Sequence, residues 1–452
     1  MDTMNASDAV LWAIERDPKL RTTVTAVALL DRPPNVNRLR HRVEAAVGAF
    51  PRLREHVVDG PLGMGHPHWA PYLDFELDRH LREVDGGGGG IRDLLDTASS
   101  LAEAGFDRSG PLWEILIVRD LDSGRSALIE KFHHSLTDGM GGIELLLSLL
   151  DWSRRPRKEL DLRNAPTAEP SDGDGYLGEM AHRLQDVART VSGLPPTLWR
   201  SATHPVDTLA DGLRTTRSIA RLITPSTRPL SPLFAGRSTS WRFDMHEESM
   251  DALHAAAAAA SGTVNDVFLA AIAGALYRYH ARFGHRIHAL RVNLPVSFRH
   301  PGDPFGGNRW TPVRFVVPVD EPDPARRIRQ VGELCRAWRK EPALPLTDNI
   351  ADVLSRLPDP ATTAVLGSLM YGVDFVATNV PGVARRCYIA GAEVTRQFAF
   401  APLGGSAANF ALVSHAGTAC IGVNTDRTAV TDPSFLMTCL AEGFSEVTAL
   451  AR

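Results

Sequence analysis

KFHHSLTDGMGG, residues 131–142, sets the later of two adjacent histidines four positions ahead of an acid and follows them with three glycines. The run leading into it, SALIEKFHH from Ser126, is rich in strand formers, and the run leaving it, IELLLSLLDW from Ile143, is an apolar helix. The segment is therefore a strand, a loop and a helix in succession, which is the unit of an α/β chain. Side chains alternate along a strand, so His133 and His134 point in roughly opposite directions and only one of them serves a given site. Gly139, Gly141 and Gly142 remove side-chain bulk where strand gives way to helix, letting another segment or a ligand approach the backbone.

Outward from this motif the pattern continues. WEILIVRDL from Trp113 and SALIEKFHH are separated by Asp122-Ser123-Gly124-Arg125, which predicts a β-hairpin. Leu39, Val43, Ala46 and Phe50 recur at helical spacing over Asn37 to Phe50, and Pro51 ends that helix. Gly86 to Gly90 offers no side chains to pack and predicts a flexible surface loop; no lysine and Ser/Thr follow it in phosphate-cradle register. From Ser153 to Gly175 the composition shifts to Arg, Pro, Glu, Asp and Gly, the mark of a connection, and Tyr176 to about Leu222 is helical in pattern but broken by Pro195-Pro196. Strand patterns (WRFDM, IHALRVNLPV, TPVRFVVPV) and long helices return from about Ser238. The expected organisation is an N-terminal lobe over 1–152 carrying the histidine motif, a connection with crossover helices over 153–237, and a C-terminal lobe over 238–452.

Bulk properties exclude several classes. Of 452 residues, 44% are apolar and 23% charged, close to the globular average, and the chain is long enough for two lobes. A formal net charge of -4 provides no basic face for nucleic acid. Cys335, Cys387, Cys420 and Cys439 form no C-x-x-C pair and no disulfide-dense pattern, and the N-terminus has no basic stretch ahead of an apolar run, so a reduced, cytoplasmic setting is expected. No run of 18 uncharged apolar residues occurs. Any membrane contact is expected to be peripheral, at the inner membrane face or a lipid-droplet surface.

Histidine is suited to general-base work because its ordinary pKa, about 6.5, lets it take a proton near neutral pH and return it in the same cycle. The residues alone leave two other readings open: both histidines as hydrogen-bonded core residues with Asp138 as a turn former, or a metal site. The second is disfavoured because adjacent strand positions do not converge on one ion and no third-ligand motif is present.

The segment matches the HHxxxDG signature of the coenzyme A-dependent acyltransferase superfamily. Beyond it, Pro111-Leu112-Trp113-Glu114, TVNDVFLAAIAGALYRY from Thr263, LPVSFR ending at Arg299, GGN at Gly306 to Asn308, and TNVPG from Thr378 followed by YIAGAEV occur in an order and spacing that resemble the bacterial wax ester synthase/diacylglycerol acyltransferase family over nearly the whole chain. That resemblance implies a two-lobed, chloramphenicol-acetyltransferase-like (condensation-domain-like) α/β fold with mixed sheets and the active site in a channel between the lobes. It implies that His134 is the base, that His133 and Asp138 hold the motif in shape with Gly139, and that acyl-CoA and a fatty alcohol or diacylglycerol are co-substrates, with no cofactor or metal. Asp138 is expected in an ion pair with Arg54 or Arg299. Gly141, Gly142, Asn265, Thr378 and Asn379 are expected near substrate.

Plainer readings stand beside several of these. Thr263 and Asp266 have the layout of a helix-capping pair, Pro111 and Trp113 that of a packing element, and Asn379-Val380-Pro381-Gly382 that of a turn. Serine is common in the family where Thr378 stands, and Ser-Tyr where Ser414-His415 stands. The opening MNASDAVLWAIERDPKLRTT matches the family only loosely, and that segment is expected to help line the acyl pocket. The same chemistry on a different alcohol, such as a hydroxylated secondary metabolite, and a non-catalytic lipid-binding scaffold remain open alternatives.

Overall fold

The computed structural model describes residues 2–60, 66–136, 146–155, 225–226, 228–297, 310–339, 351, 354–355 and 359–451. Its first half runs β1 (Asp2–Thr3), α1 (Ala6–Ile14), β2 (Thr23–Leu30), α2 (Val36–Ala49), β3 (Glu55–Val58), β4 (His68–Pro71), α3 (Leu77–His80), β5 (Leu81–Asp85), α4 (Ile91–Glu103), β6 (Trp113–Arg119), β7 (Ser126–His133) and β8 (Leu150–Asp151). The second half runs β9 (Trp241–Ser249), α5 (Met250–Ala259), α6 (Val264–Arg282), β10 (Ala289–Ser297), β11 (Trp310–Pro318), α7 (Pro324–Arg339), α8 (Asp359–Met370), β12 (Phe375–Val383), β13 (Tyr388–Ile389), β14 (Ala392–Phe400), β15 (Ala408–His415), β16 (Thr418–Asp426) and α9 (Pro433–Thr448).

Two mixed sheets carry the architecture. The first is ordered β5-β6-β7-β2-β14-β13-β8, antiparallel except at β5/β6, and the second β11-β10-β12-β15-β16-β9, with β12 parallel to both neighbours. The expected hairpin is present: β6 and β7 pair from Trp113 opposite Phe132 to Val118 opposite Ala127, and Ser123 and Gly124 turn the chain at positive φ. The helix expected over Asn37 to Phe50 is α2, whose Leu39, Val43 and Ala46 pack on one face of the first sheet. The glycine run is a surface turn, but a pinned one: Gly86 N–H donates to Arg119 O at 2.6 Å and Gly88 N–H to Asp120 O at 2.7 Å.

Sequence order and lobe membership diverge at residues 388–400. β13 and β14 come from the second half yet complete the sheet of the first, where Phe398 and Phe400 join Leu94, Ala98, Trp241 and Phe243 in one core and Phe400 stacks on Phe243 with ring centroids 4.2 Å apart. Most of the connection expected over 153–237, including the broken helices, lies outside the described residues.

The second core is built on α6. Thr263 caps it as expected, with Asp266 N–H donating to Thr263 Oγ1 at 3.3 Å and Thr263 N–H to Asp266 Oδ2 at 2.9 Å. Its small-residue run lets α9 approach closely, and a Cβ at Gly443 would collide with the carbonyl oxygen of Ala271. Among the described residues no single helix is long and apolar enough to cross a membrane; α5 and α6 pass such a test only as a pair bent by 93°, and α6 is buried in this core. Gly443→Val should lower stability by about 1–3 kcal/mol through overpacking, read as a lower midpoint in urea denaturation.

Candidate active site

The motif sits where three segments meet. β2 pairs with β7 so that Thr23 opposes His133. At the end of β7 the His133 N–H donates to Leu112 O and the His134 N–H to Thr22 O, each at 3.0 Å. The backbones of both histidines are thereby tied to neighbours on opposite sides.

The imidazole of His133 is buried, 1% exposed, and occupied at both nitrogens. Nδ1 accepts the Ser135 backbone N–H at 3.0 Å and lies 2.7 Å from Ser135 Oγ. Since Nδ1 accepts, the ring proton of the neutral tautomer is on Nε2, which faces the Glu15 carboxylate and lies 3.0 Å from Thr22 Oγ1. Thr22 in turn donates to Glu15 Oε2 at 2.7 Å. The edges of Trp12 and Phe106 close the remaining sides. Burial by itself would raise the Glu15 carboxyl, but the electrostatic attraction of and hydrogen bond from His133, the Thr22 hydroxyl and Arg21 together outweigh it and hold the group at about 2.

Glu15 follows α1 directly, and α1 rests on the second half of the chain: Leu11, Ile14 and Leu20 pack against Leu366, Met370 and Tyr371, and Thr363 Oγ1 donates to Ala13 O at 3.1 Å. The element that locks His133 is thus seated across the seam between the lobes. His134, one residue past the strand, is only half-buried.

Other expected residues divide clearly. Trp113 is a core residue: 3% exposed, stacked on His80 with centroids 4.7 Å apart, its indole N–H donating to Leu53 O at 2.8 Å. Pro111 beside it is buried. Arg54 is exposed, its guanidinium 5.8 Å from the Phe75 ring centroid. Asp138, Gly139, Gly141, Gly142 and Arg299 lie outside the described residues. Asp266 is 2% exposed and fulfils the capping role. Asn265, in the first turn of α6, is 3% exposed, and its buried Nδ2 has no hydrogen-bond partner.

Thr378 and Asn379 are half-buried on β12, opposite Ala411 and Leu412 of β15. Here the turn expected over Asn379 to Gly382 is not formed. The segment continues as strand with a register shift between Val380 and Val383, and Gly382 N–H donates to Ser414 Oγ at 3.1 Å. A bulge accommodates Pro381 within a strand, and a Cβ at Gly382 would collide with the Ser414 carbonyl.

Sequence reasoning missed Glu15, Thr22, Ser135 and Lys131. Thr22 lies 111 positions before His133, and no local periodicity connects them. Lys131 is 1% exposed, bound by Glu114 at 3.1 Å and by Gly105 O, with Phe106 beneath its ammonium; burial lowers its pKa. No described cysteine is a ready nucleophile, since burial pushes Cys335 and Cys387 up to about 12 and Cys420 and Cys439 up to about 11. Among the described residues no group of His, Cys, Asp and Glu is arranged to hold a metal ion.

Comparison with known proteins identifies the family. The profile of the wax ester synthase/diacylglycerol acyltransferase catalytic domain matches residues 4–268, and that of the WS/DGAT C-terminal domain matches 306–448. The chain belongs to the wax ester synthase/diacylglycerol acyltransferase family. A Mycobacterium tuberculosis relative, provisionally named a diacylglycerol O-acyltransferase, is 34% identical over 460 residues, covering 100% of this chain and 92% of the relative. The solved wax ester synthase/diacylglycerol acyltransferase of Marinobacter aquaeolei VT8 shares the fold at a TM-score of 0.67 and 18% identity, with both chains covered in full. The starter condensation domain of rhizomide synthetase, solved with C8-CoA and Leu-SNAC, aligns at a TM-score of 0.59 and 12% identity over 100% of this chain and 94% of that one. The fold is therefore two-lobed and condensation-domain-like, and the WS/DGAT chain is an acyltransferase.

The depressed Glu15 carboxyl sets a pH dependence. Its contribution is fully present above the unfolded value near 4.5 and is lost as pH falls through about 2. Glu15→Gln should therefore be less stable than wild type at pH 7, by on the order of 3 kcal/mol. The gap should narrow as pH falls from 4.5 towards 2, measured by urea denaturation across that range.

Proposed function

We propose that this acyltransferase moves a long-chain fatty acyl group from coenzyme A to a fatty alcohol or diacylglycerol, with His134 as the general base. One observation carries the assignment of the base. Both ring nitrogens of His133 are engaged inside the protein and its ring is shut off from solvent, whereas His134 keeps part of its surface accessible at the end of the same strand.

In the proposed reaction His134 takes the proton of the acceptor hydroxyl as its oxygen attacks the thioester carbonyl. The tetrahedral oxyanion collapses with loss of the coenzyme A thiolate, which receives the proton back from the imidazolium; the products are an ester and free coenzyme A. Both substrates are bound at once and no acyl-enzyme forms. The high pKa values of the buried thiols support this direct route. The donor is proposed from the family and from the C8-CoA held by the rhizomide synthetase domain of the same fold. Wax ester or triacylglycerol formation is proposed from the names of the relatives. The roles of Asp138, as a structural ion pair, and of Gly139, Gly141 and Gly142, as room for substrate, belong to the same proposal, as does contact of Asn265, Thr378 and Asn379 with the channel.

Incubation with palmitoyl-CoA and a mixture of long-chain alcohols and diacylglycerol, followed by mass spectrometry of the esters, tests the acceptor class directly. Esters formed only on small polar acceptors would overturn it. His134→Ala should lose at least about a hundredfold in kcat with an unchanged melting midpoint. His133→Ala should lose stability as well as rate, because it strands Glu15 and Ser135 in the interior. Ester formation at the wild-type rate by His134→Ala would remove His134 as the base.

A further inference from the structure

β8 is the edge strand of the first sheet, four strands over from β7. Through Tyr388, Glu393 and then Val394, Leu30 and Ser126 its register leads to the start of β7, away from the histidines at its end. Trp152 follows β8 directly. Among the described residues it is the one tryptophan left exposed, at 37%, and the Arg385 guanidinium lies over its ring, 3.9 Å from the centroid. Arg155, close behind it, is exposed as well.

The surroundings of this edge are basic. Buried Asp151 is answered by Arg38 at 2.7 Å and by Arg42. Asp31 pairs with Arg154 at 2.8 Å and with Arg32 at 3.2 Å, and Glu393 reaches the same Arg154 at 3.3 Å and Arg386 at 4.0 Å. With Arg155 and Arg385 this makes seven arginines against three acids, an excess of positive charge in a chain whose net charge is -4. The Arg386 side chain, 80% exposed, projects from this surplus into solvent.

An exposed indole amid surplus guanidinium groups has a defined chemical preference. Indole is amphipathic and favours the boundary between water and lipid, while each arginine near an anionic leaflet adds to the attraction. A free phosphate would engage the arginines and leave the indole unused. Fatty alcohols and diacylglycerol, the proposed acceptors, are water-insoluble and reach an enzyme from a lipid phase. We infer that the β8 edge is a docking surface for an anionic lipid layer, with Trp152 among the headgroups and Arg155, Arg385 and Arg386 against the lipid phosphates. The purpose of docking rests on the proposed acyl transfer, but the docking itself needs no turnover.

Flotation of the full chain with vesicles of phosphatidylcholine and phosphatidylglycerol, compared with phosphatidylcholine alone, tests it. The protein should partition onto the anionic vesicles at least about tenfold more strongly, and less so as salt rises. Arg385→Glu with Arg386→Glu should cut that partition by at least about twentyfold at an unchanged melting midpoint, and Arg385→Lys with Arg386→Lys should retain most of it. Trp152→Ala should weaken it too. Equal partition onto both kinds of vesicle, or full partition by the double glutamate variant, overturns the inference. So does full partition by Trp152→Ala, which would mark a plain anion site in place of a lipid surface. In an active protein the double glutamate variant should lose rate on diacylglycerol in anionic vesicles and keep it in neutral detergent micelles. A protein that docks as expected and forms no ester upholds the docking surface and sinks the transfer reaction instead.

Discussion

A single enclosed imidazole governs the geometry of the motif. His133 is held between the backbone N–H of Ser135 on one nitrogen and the Glu15 and Thr22 side chains on the other. A buried carboxylate is costly to desolvate unless its partners are close and its hydrogen bonds are made, and here they are. With that ring fixed and its backbone tied to Leu112, the following residue has little freedom: its own N–H is committed to Thr22. The backbone of His134 is therefore set by its enclosed neighbour. Preorganisation of this kind is what the general-base role proposed for His134 requires, because its geometry towards the hydroxyl must already be right when the proton moves.

That lock depends on the two halves of the chain being interleaved. Glu15 follows a helix whose apolar face rests on α8 of the second half, while β14 of the second half is paired along β2, the strand next to the histidine strand. Ion pairs cross the same seam, Arg92 to Asp244 at 2.8 Å and Arg396 to Glu247 at 2.6 Å. The exposed pair adds little in energy; the shared sheet and the packed α1/α8 contact are what couple the lobes. A change in how the lobes sit would be felt at Glu15 first.

The parts of this arrangement that are local in sequence were legible in it. The hairpin, α2, the Thr263-Asp266 cap and the packing role of Trp113 each rest on residues within a few positions of one another, where periodicity and turn chemistry act. The partners of His133 were not, because Glu15 and Thr22 reach it only through the pairing of β2 with β7. Residues 388–400 were assigned by position to the wrong neighbourhood for the same reason: strand pairing is non-local. At Asn379 to Gly382 the local signal itself misled. Turn chemistry was outweighed by the parallel pairing with β15, with a bulge absorbing Pro381.

β7 shows how burial alone fails to separate structural polar groups from functional ones. Lys131 and His133 are almost fully buried, at 1% exposure each, and both are fully answered from within, by Glu114 and Gly105 in one case and by Glu15, Thr22 and Ser135 in the other. Each such group stabilises a single arrangement and has nothing left to offer a substrate. On the other side of the same strand Glu130 keeps an oxygen with no internal partner. Strand alternation puts this acid on the opposite face from the groups that hold the strand in place.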